Sequence, residues 1–213
     1  MYISRVEIDV NNRQKMKELN HLGAYHNWVE QLFPEEVTNG EHSRKLWRID
    51  KLQNKYFLIV ISKAQPDLNA MTLYGVENSA QSKPYDTFLN QLHDGQVLRF
   101  KATLNPVMSI STGKTSGKRG RVVPHITVTH QMNYLKDRST KNGFSLKDDE
   151  FYVTESDFAI LKKQGTKPIR INKVTYEGLL TITDVAAFRE LLTKGLGKKK
   201  AYGCGMLTVI PTK

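Results

Sequence analysis

The chain has 213 residues, 39% hydrophobic and 25% charged, and 32 lysines and arginines against 21 acids give a formal net charge of +11. That length buries a proper core in one large domain or two small ones, and the cationic excess favours nucleic acid as a partner over an anionic membrane, because no basic helix carries a bulky apolar face. No apolar run approaches the ~20 residues of a membrane span, the N-terminus lacks the basic and apolar regions of a signal peptide, and the single cysteine, Cys204, excludes an internal disulfide and a multi-cysteine zinc site, so a cytoplasmic protein is expected.

Residues 2–10 alternate as a strand does. Asn11 and Asn12 are N-cap residues for a helical pattern over 13–33, with Met16, Leu19, Leu22, Val29 and Leu32 at helical spacing. Gly23 costs a helix interior about 1 kcal/mol relative to alanine and marks a break; Pro34 closes the segment. Strands are predicted at 45–50 and 56–62, joined by a hairpin connection over 51–55. A loop or short helix at 66–69 leads to a further strand at 71–76. This β-α-β-β-(α)-β order is the ferredoxin-like plan.

Residues 77–81 and Pro84 read as a linker, and after Asp94-Gly95 the pattern restarts. A strand over 97–104 ends at Asn105-Pro106, and a polar loop spans 109–121. A helix near 128–141, strands near 144–154 and 170–182, and a helix over 185–192 capped by Asp184 follow. A final strand begins at Met206. The predicted fold class is α+β, two tandem ferredoxin-like (RRM-like) domains at 1–84 and 85–213. No sequence repeat accompanies the duplication, which rests on element order.

Two segments concentrate charge and glycine. The first, Gly195-Leu196-Gly197-Lys198-Lys199-Lys200-Ala201-Tyr202-Gly203-Cys204-Gly205, brackets three lysines between two Gly-x-Gly pairs. Glycine admits positive φ and close approach of a polyanion, and successive N–H groups of such a turn form an anion-binding concavity. A merely solvated turn has the same composition. The second, 111–121, carries Lys114, Lys118, Arg119 and Arg121 without an acid. It is not a nucleotide-binding P-loop, because three residues separate Gly113 from Gly117 and Arg119 stands where the motif needs Ser or Thr. It is either a basic element for a nucleic-acid groove or a solvated loop.

Six histidines, at 21, 26, 42, 93, 125 and 130, are scattered, and no Cys/His or paired-carboxylate spacing forms a metal site. Histidine suits proton transfer because its unperturbed pKa lies near neutrality. Periodicity alone places His26 beside Leu22 and Phe33, as a packed residue at the core edge.

In order along the chain, the opening strand, the helix ending Leu32-Phe33-Pro34, Leu98-Arg99-Phe100 through Leu104-Asn105-Pro106, Tyr176-Glu177-Gly178-Leu179-Leu180-Thr181 and the glycine-rich loop resemble the CasE-type CRISPR-associated endoribonucleases over nearly the whole length. The resemblance implies RNA-recognition-like domains that bind the repeat hairpin of precursor CRISPR RNA. It also implies a metal-independent cut at the 3′ base of the stem by 2′-hydroxyl attack, leaving a 2′,3′-cyclic phosphate, with no cofactor, and retention of the product among the other protein subunits of Cascade. His26, eight residues before Pro34, matches the general acid or base. Related enzymes often carry a tyrosine three residues earlier; here that position is Gly23, and Tyr25 stands next to His26, as a substitute hydroxyl or as core packing. His21 is a rival proton-transfer group. Lys114, Lys118, Arg119 and Arg121 would face the stem, and Gly197, Lys198, Lys199, Lys200 and Gly203 the backbone near the cut. The alternatives are a non-catalytic RNA-hairpin-binding subunit, kept open by Gly23, and a DNA-binding protein, which would be indifferent to the 2′-hydroxyl.

Overall fold

The computed structural model describes residues 1–110, 120–162 and 165–212. The opening alternation forms β1 (Tyr2–Glu7), which sends Val6 to one hydrophobic cluster and Ile3 to the other. Asn12 caps α1 (Arg13–Glu18) by accepting from the N–H groups of Gln14 and Lys15. The helical pattern breaks before Gly23 rather than at it. His21 turns extended and becomes the N-cap of α2 (Leu22–Gln31), its Nδ1 accepting the Gly23 N–H at 3.0 Å. Pro34 opens a further helix, α3 (Pro34–Asn39), instead of only closing the previous one. Its missing N–H costs nothing in a first turn.

The hairpin of β2 (Leu46–Leu52) and β3 (Lys55–Ser62) turns through Gln53 and Asn54, both at positive φ, a two-residue loop whose twist matches the strands. After α4 (Leu68–Met71), the strand predicted at 71–76 is absent. Met71 is fully buried as a helical residue, and Gly75 alone bridges Ile8. The fourth strand is instead β4 (Gln81–Pro84), inside the expected linker, pairing with β1. As a short polar edge strand ending in proline it shows none of the apolar alternation by which strands are read. The sheet order is β2-β3-β1-β4, antiparallel throughout.

A short helix, α5 (Asp86–Asn90), leads to β5 (Val97–Leu104). The stretch predicted as loop from 109 begins inside a strand: β6 (Val107–Ile110) pairs with β7 (Arg121–Pro124). Thr127 caps α6 (Val128–Ser139). The single strand expected at 144–154 divides into β8 (Phe144–Ser145) and β9 (Phe151–Leu161), both on β10 (Ile169–Ile182). Asp184 caps α7 (Val185–Lys194) through the N–H groups of Ala186 and Ala187, and β11 (Met206–Pro211) completes the order β11-β5-β10 with β8 and β9 beyond. The helix-separated, 4-1-3-2 arrangement thus occurs twice, and the fold is α+β with two tandem ferredoxin-like units.

The two sheets share their cores. Leu46 and Ile61 lie in the cluster of the second sheet, while Leu161, Ile171 and Cys204 lie in that of the first. At the seam Arg48, 2% exposed, donates twice to Asp50 (2.7 and 2.8 Å), to the Lys101 carbonyl (2.9 Å) and to Thr208 Oγ1 (2.8 Å). A buried guanidinium left unpaired is costly, so this fork fixes β2 against β5 and β11. Among the described residues no helix is long and apolar enough to cross a membrane.

Candidate active site and nucleic-acid interface

The glycine-rich loop is built to lie on β2. Gly195, Gly197, Gly203 and Gly205 all have positive φ, as does Lys199. At Gly203 the reason is also steric: a Cβ would lie 2.7 Å from the Trp47 ring. The Trp47 indole N–H donates to the Ala201 carbonyl at 3.0 Å. This anchors a short 3-10 turn, Lys200–Tyr202, beside α2, and the Tyr202 ring meets His26 edge-on with centroids 5.6 Å apart.

His26 therefore stands where the two halves meet. It lines an open cleft of about 420 Å³ with Glu30, His42, Arg44, Lys45 and Ala201 among its walls. Its side chain is 35% exposed, so a phosphate can reach the ring. Burial pushes its pKa below the ordinary 6.5, Glu30 opposes that, and Lys45 and His42 add to the lowering. The ring is then largely neutral near pH 7, a proton acceptor. A phosphodiester brought against it would raise the pKa again and favour the protonated, donating form.

Tyr25 points elsewhere. Its ring stacks on Trp47 with centroids 5.9 Å apart and 23° between planes, and burial raises the phenol pKa. It is not among the residues that line the His26 cleft. His21 is occupied as the α2 cap, and that cap accounts for Gly23: a Cβ there would sit 2.8 Å from the His21 ring and 3.2 Å from the Lys162 carbonyl. The position has no room for a tyrosine while His21 caps the helix.

A second, larger cleft of about 710 Å³ lies on the other flank of the loop. Gly197 and Lys198 form one wall, the base of the β6-β7 hairpin another, and His125, His130, Tyr134 and Arg138 the third. The Arg138 guanidinium covers the Tyr134 ring, 3.7 Å from its centroid, and the His125 and His130 rings are 5.9 Å apart. Burial, then His130 and Arg138, lower the His125 pKa against a weaker pull from Asp137.

The lysines predicted to act together are divided between these surroundings. Lys198 lines the second cleft, Lys199 lies over Tyr202 at 5.8 Å, and Lys200 is half-buried and donates to the Lys194 carbonyl at the end of α7 (2.8 Å). Burial, with Arg44 adding, lowers the Lys200 pKa. Arg121 is exposed at the start of β7. Lys114, Lys118 and Arg119 lie outside the described residues. Cys204 is buried, its thiol pushed up to about 11, which leaves it without thiolate chemistry. Among the described residues no three metal-ligating side chains come together.

Sequence reasoning missed Glu30, Lys45 and Arg44 in the first cleft and Arg138 with the His125–His130 pair in the second. Helical spacing carried one usable signal, Glu30 at i+4 from His26, whereas Lys45 and Arg138 are single cations whose surroundings only the fold supplies.

The chain is similar to known proteins over its whole length. The chain is 25% identical over 222 residues to the CRISPR-associated endoribonuclease Cse3 of Thermus thermophilus, covering 99% of this chain and 100% of that one. It is 29% identical over 126 residues to the Cascade subunit CasE of Escherichia coli, covering 57% and 61% of the two chains. In three dimensions it matches the structure of CRISPR endoribonuclease Cse3 bound to a 19-nucleotide RNA with a TM-score of 0.77, at 24% identity and over 99% and 100% of the chains, a likeness of fold. A family model described as CRISPR associated protein matches residues 1–211, and the chain belongs to that family.

Proposed function

We propose that this protein is an endoribonuclease that processes precursor CRISPR RNA. It binds the repeat stem-loop, cuts at the 3′ base of the stem by attack of the adjacent 2′-hydroxyl, and keeps the product as a subunit of a Cascade assembly. The observation that carries the reading is the placement of His26, about a third exposed, in a cleft that also holds Glu30, Arg44 and Lys45 and is closed on one side by Ala201 of the glycine-rich loop. The likeness to proteins named as a Cse3 endoribonuclease and a Cascade subunit supports it.

His26 transfers protons at the cut. As base it takes the proton of the 2′-hydroxyl; as acid it gives one to the departing 5′-oxygen, its imidazolium favoured by the bound phosphate. Removal of such a group costs about 10²–10⁴-fold in rate. The cation of Arg44 and the backbone N–H groups of the loop face the charge that develops on the phosphorus oxygens. Proton transfer and fixed charges suffice for this chemistry, so the cut needs no metal ion and leaves a 2′,3′-cyclic phosphate. Tyr25 supports α2 from the Trp47 stack.

The second cleft, with Lys198 and Arg138, holds the strand away from the cut. An A-form stem is read by its shape, phosphates and 2′-hydroxyls, which suits an arginine fixed on a tyrosine face and lysines on a rigid turn. Lys114, Lys118, Arg119 and Arg121, in and beside the β6-β7 connection, extend that grip along the stem. The N-terminal unit, 1–84, would carry the proton-transfer group and the C-terminal unit, 85–213, most of the RNA-binding surface.

The test is cleavage of a cognate repeat hairpin by wild type and His26→Ala in EDTA, with binding measured in parallel. The variant is expected to bind and not cut. A hairpin with deoxyribose 5′ of the scissile phosphate should bind and resist wild type. Tight binding by a wild type that never cuts would make the chain a hairpin-binding subunit, and indifference to ribose throughout would point to DNA.

A further inference from the structure

Glu30 is no loose surface acid. It sits one turn after His26 on α2, its Oε1 3.8 Å from His26 Nδ1. Its other oxygen accepts from Lys45 Nζ at 2.9 Å and lies 3.6 Å from Nδ1 of the exposed His42. Lys45, only 2% exposed, also donates to Glu36 at 2.7 Å and lies over the Phe33 ring. Glu36 is pinned in turn by the Ser43 hydroxyl (2.6 Å) and N–H (3.1 Å). Two carboxylates share one ammonium, so the cluster carries a residual negative charge, and the free oxygen of Glu30 turns that charge toward His26.

We propose that Glu30 is the positioning residue for His26: its Oε1 takes the Nδ1–H, fixing the ring and its tautomer so that Nε2 is the nitrogen offered to the RNA, while Lys45 holds the other carboxylate oxygen in place. This rests on the reading of His26 as the proton-transfer group. At 3.8 Å the separation is longer than a hydrogen bond, and it shortens as the imidazole gains a proton, as such pairs do when a site is loaded. The hydrogen bond made by one ring nitrogen decides what the other can do.

The other charged and titratable groups around the ring are His42, Arg44 and Lys45, from the segment entering β2, and Tyr202 with Lys199 and Lys200 from the loop. Glu30 is the one acid among them. Its removal therefore has a sign that cannot be confused with general loosening. The direction of each electrostatic influence on His26, up from Glu30 and down from Lys45, agrees with this arrangement.

The experiment follows the His26 imidazole by NMR titration in the RNA-free protein, beside single-turnover cleavage against pH at saturating hairpin, in wild type, Glu30→Gln, Lys45→Met and His26→Ala. In Glu30→Gln the His26 midpoint should move to lower pH, and the matching limb of the cleavage profile should move with it. The rate near pH 7 should fall roughly tenfold, short of the 10²–10⁴-fold loss expected for a proton-transfer group, with hairpin affinity held. Lys45→Met should move both to higher pH; if it does not fold, Glu30→Gln decides alone. A Glu30→Gln midpoint equal to wild type, or a rate loss with no shift of the limb, overturns the proposal and leaves His26 in place. Wild-type cleavage by His26→Ala overturns the reading of His26 itself, and the role of Glu30 falls with it.

Discussion

Gly203→Ala tests the feature on which the site depends, the seating of the glycine-rich loop on Trp47. Gly203 has φ +70°, and a Cβ there would meet the buried indole at 2.7, 2.9 and 3.1 Å. Two costs add. The left-handed conformation costs an L-residue roughly 1–2 kcal/mol, and forcing a methyl into a packed interface costs about 1–3 kcal/mol more. The sum, roughly 2–5 kcal/mol, is a large part of a typical stability of 5–15 kcal/mol.

Gly40→Ala supplies the control. Gly40 has nearly the same φ, +68°, and nothing within 4 Å of its Cβ position, so it carries the conformational cost alone. Urea unfolding should show both midpoints lowered, with Gly203→Ala the worse by about 1–3 kcal/mol and unchanged slopes. Because Ala201 and Tyr202 adjoin the clash, Gly203→Ala should also slow hairpin cleavage, which Gly40→Ala should not. Equal destabilisation by the two variants would refute the steric argument. The loop would then not be seated on Trp47.

Other variants have narrower consequences. Lys198→Ala and Arg138→Ala should each weaken hairpin binding and reduce the slope of log affinity against log salt by about one for every phosphate the variant no longer neutralises, measured by titrating salt. Asp184→Ala removes the cap of α7 and should cost about 1 kcal/mol in urea unfolding. Burial pushes the Asp50 carboxyl up, but the Arg48 fork and Lys101 more than offset it, and the net pKa lies below the ordinary 3.8. A depressed carboxyl contributes stability above its unfolded pKa and loses it as pH falls through the folded value. Asp50→Asn should accordingly flatten the acid limb of stability below about pH 4, read from thermal unfolding against pH.

Most of the fold could be read from the chain because most elements bury an alternating or helical face. β5 was legible to the residue, and the caps at Asn12 and Asp184 act as their chemistry predicts. The failures share a cause. β4 is a polar edge strand, so it has no buried face to announce it. In the stretch 71–76, Met71 is buried in the same core cluster as Trp28 and the Tyr74 ring meets Trp28 edge-on, which is tertiary packing and not strand pairing. His21 acts as a cap although histidine is not among the usual capping residues, and this moved the break by a few residues. At the site, the family resemblance singled out His26, which periodicity alone reads as a packed residue, and the partition of Lys198, Lys199 and Lys200 among three surroundings depends on the positive φ at Lys199, which composition does not reveal. Glu30 could have been noticed at i+4. That its second oxygen is taken by Lys45 could not.

The location of the site follows from this division of labour. His26 belongs to the first ferredoxin-like unit and the loop over it to the second, separated by some 170 residues of chain and joined by Trp47, the Arg48 fork and the exchanged core residues. Neither unit alone holds a ring, a roof and a cationic wall. A histidine on a short helix is an ordinary surface residue until the second sheet closes against β2. The second unit then sets the Tyr202 ring edge-on against it, 5.6 Å between centroids, and burial, with Lys45 and His42, holds its pKa below the ordinary 6.5. Variants at the seam, far from RNA, should therefore act on cleavage as well as stability. Arg48→Met is the sharpest case, since it leaves the half-buried Asp50 without its fork while touching neither cleft wall at His26. It should lower the urea midpoint and slow single-turnover cleavage together. If cleavage at saturating hairpin is unaffected in a folded Arg48→Met protein, the two halves do not need each other to shape the site, and the seam is only scaffolding.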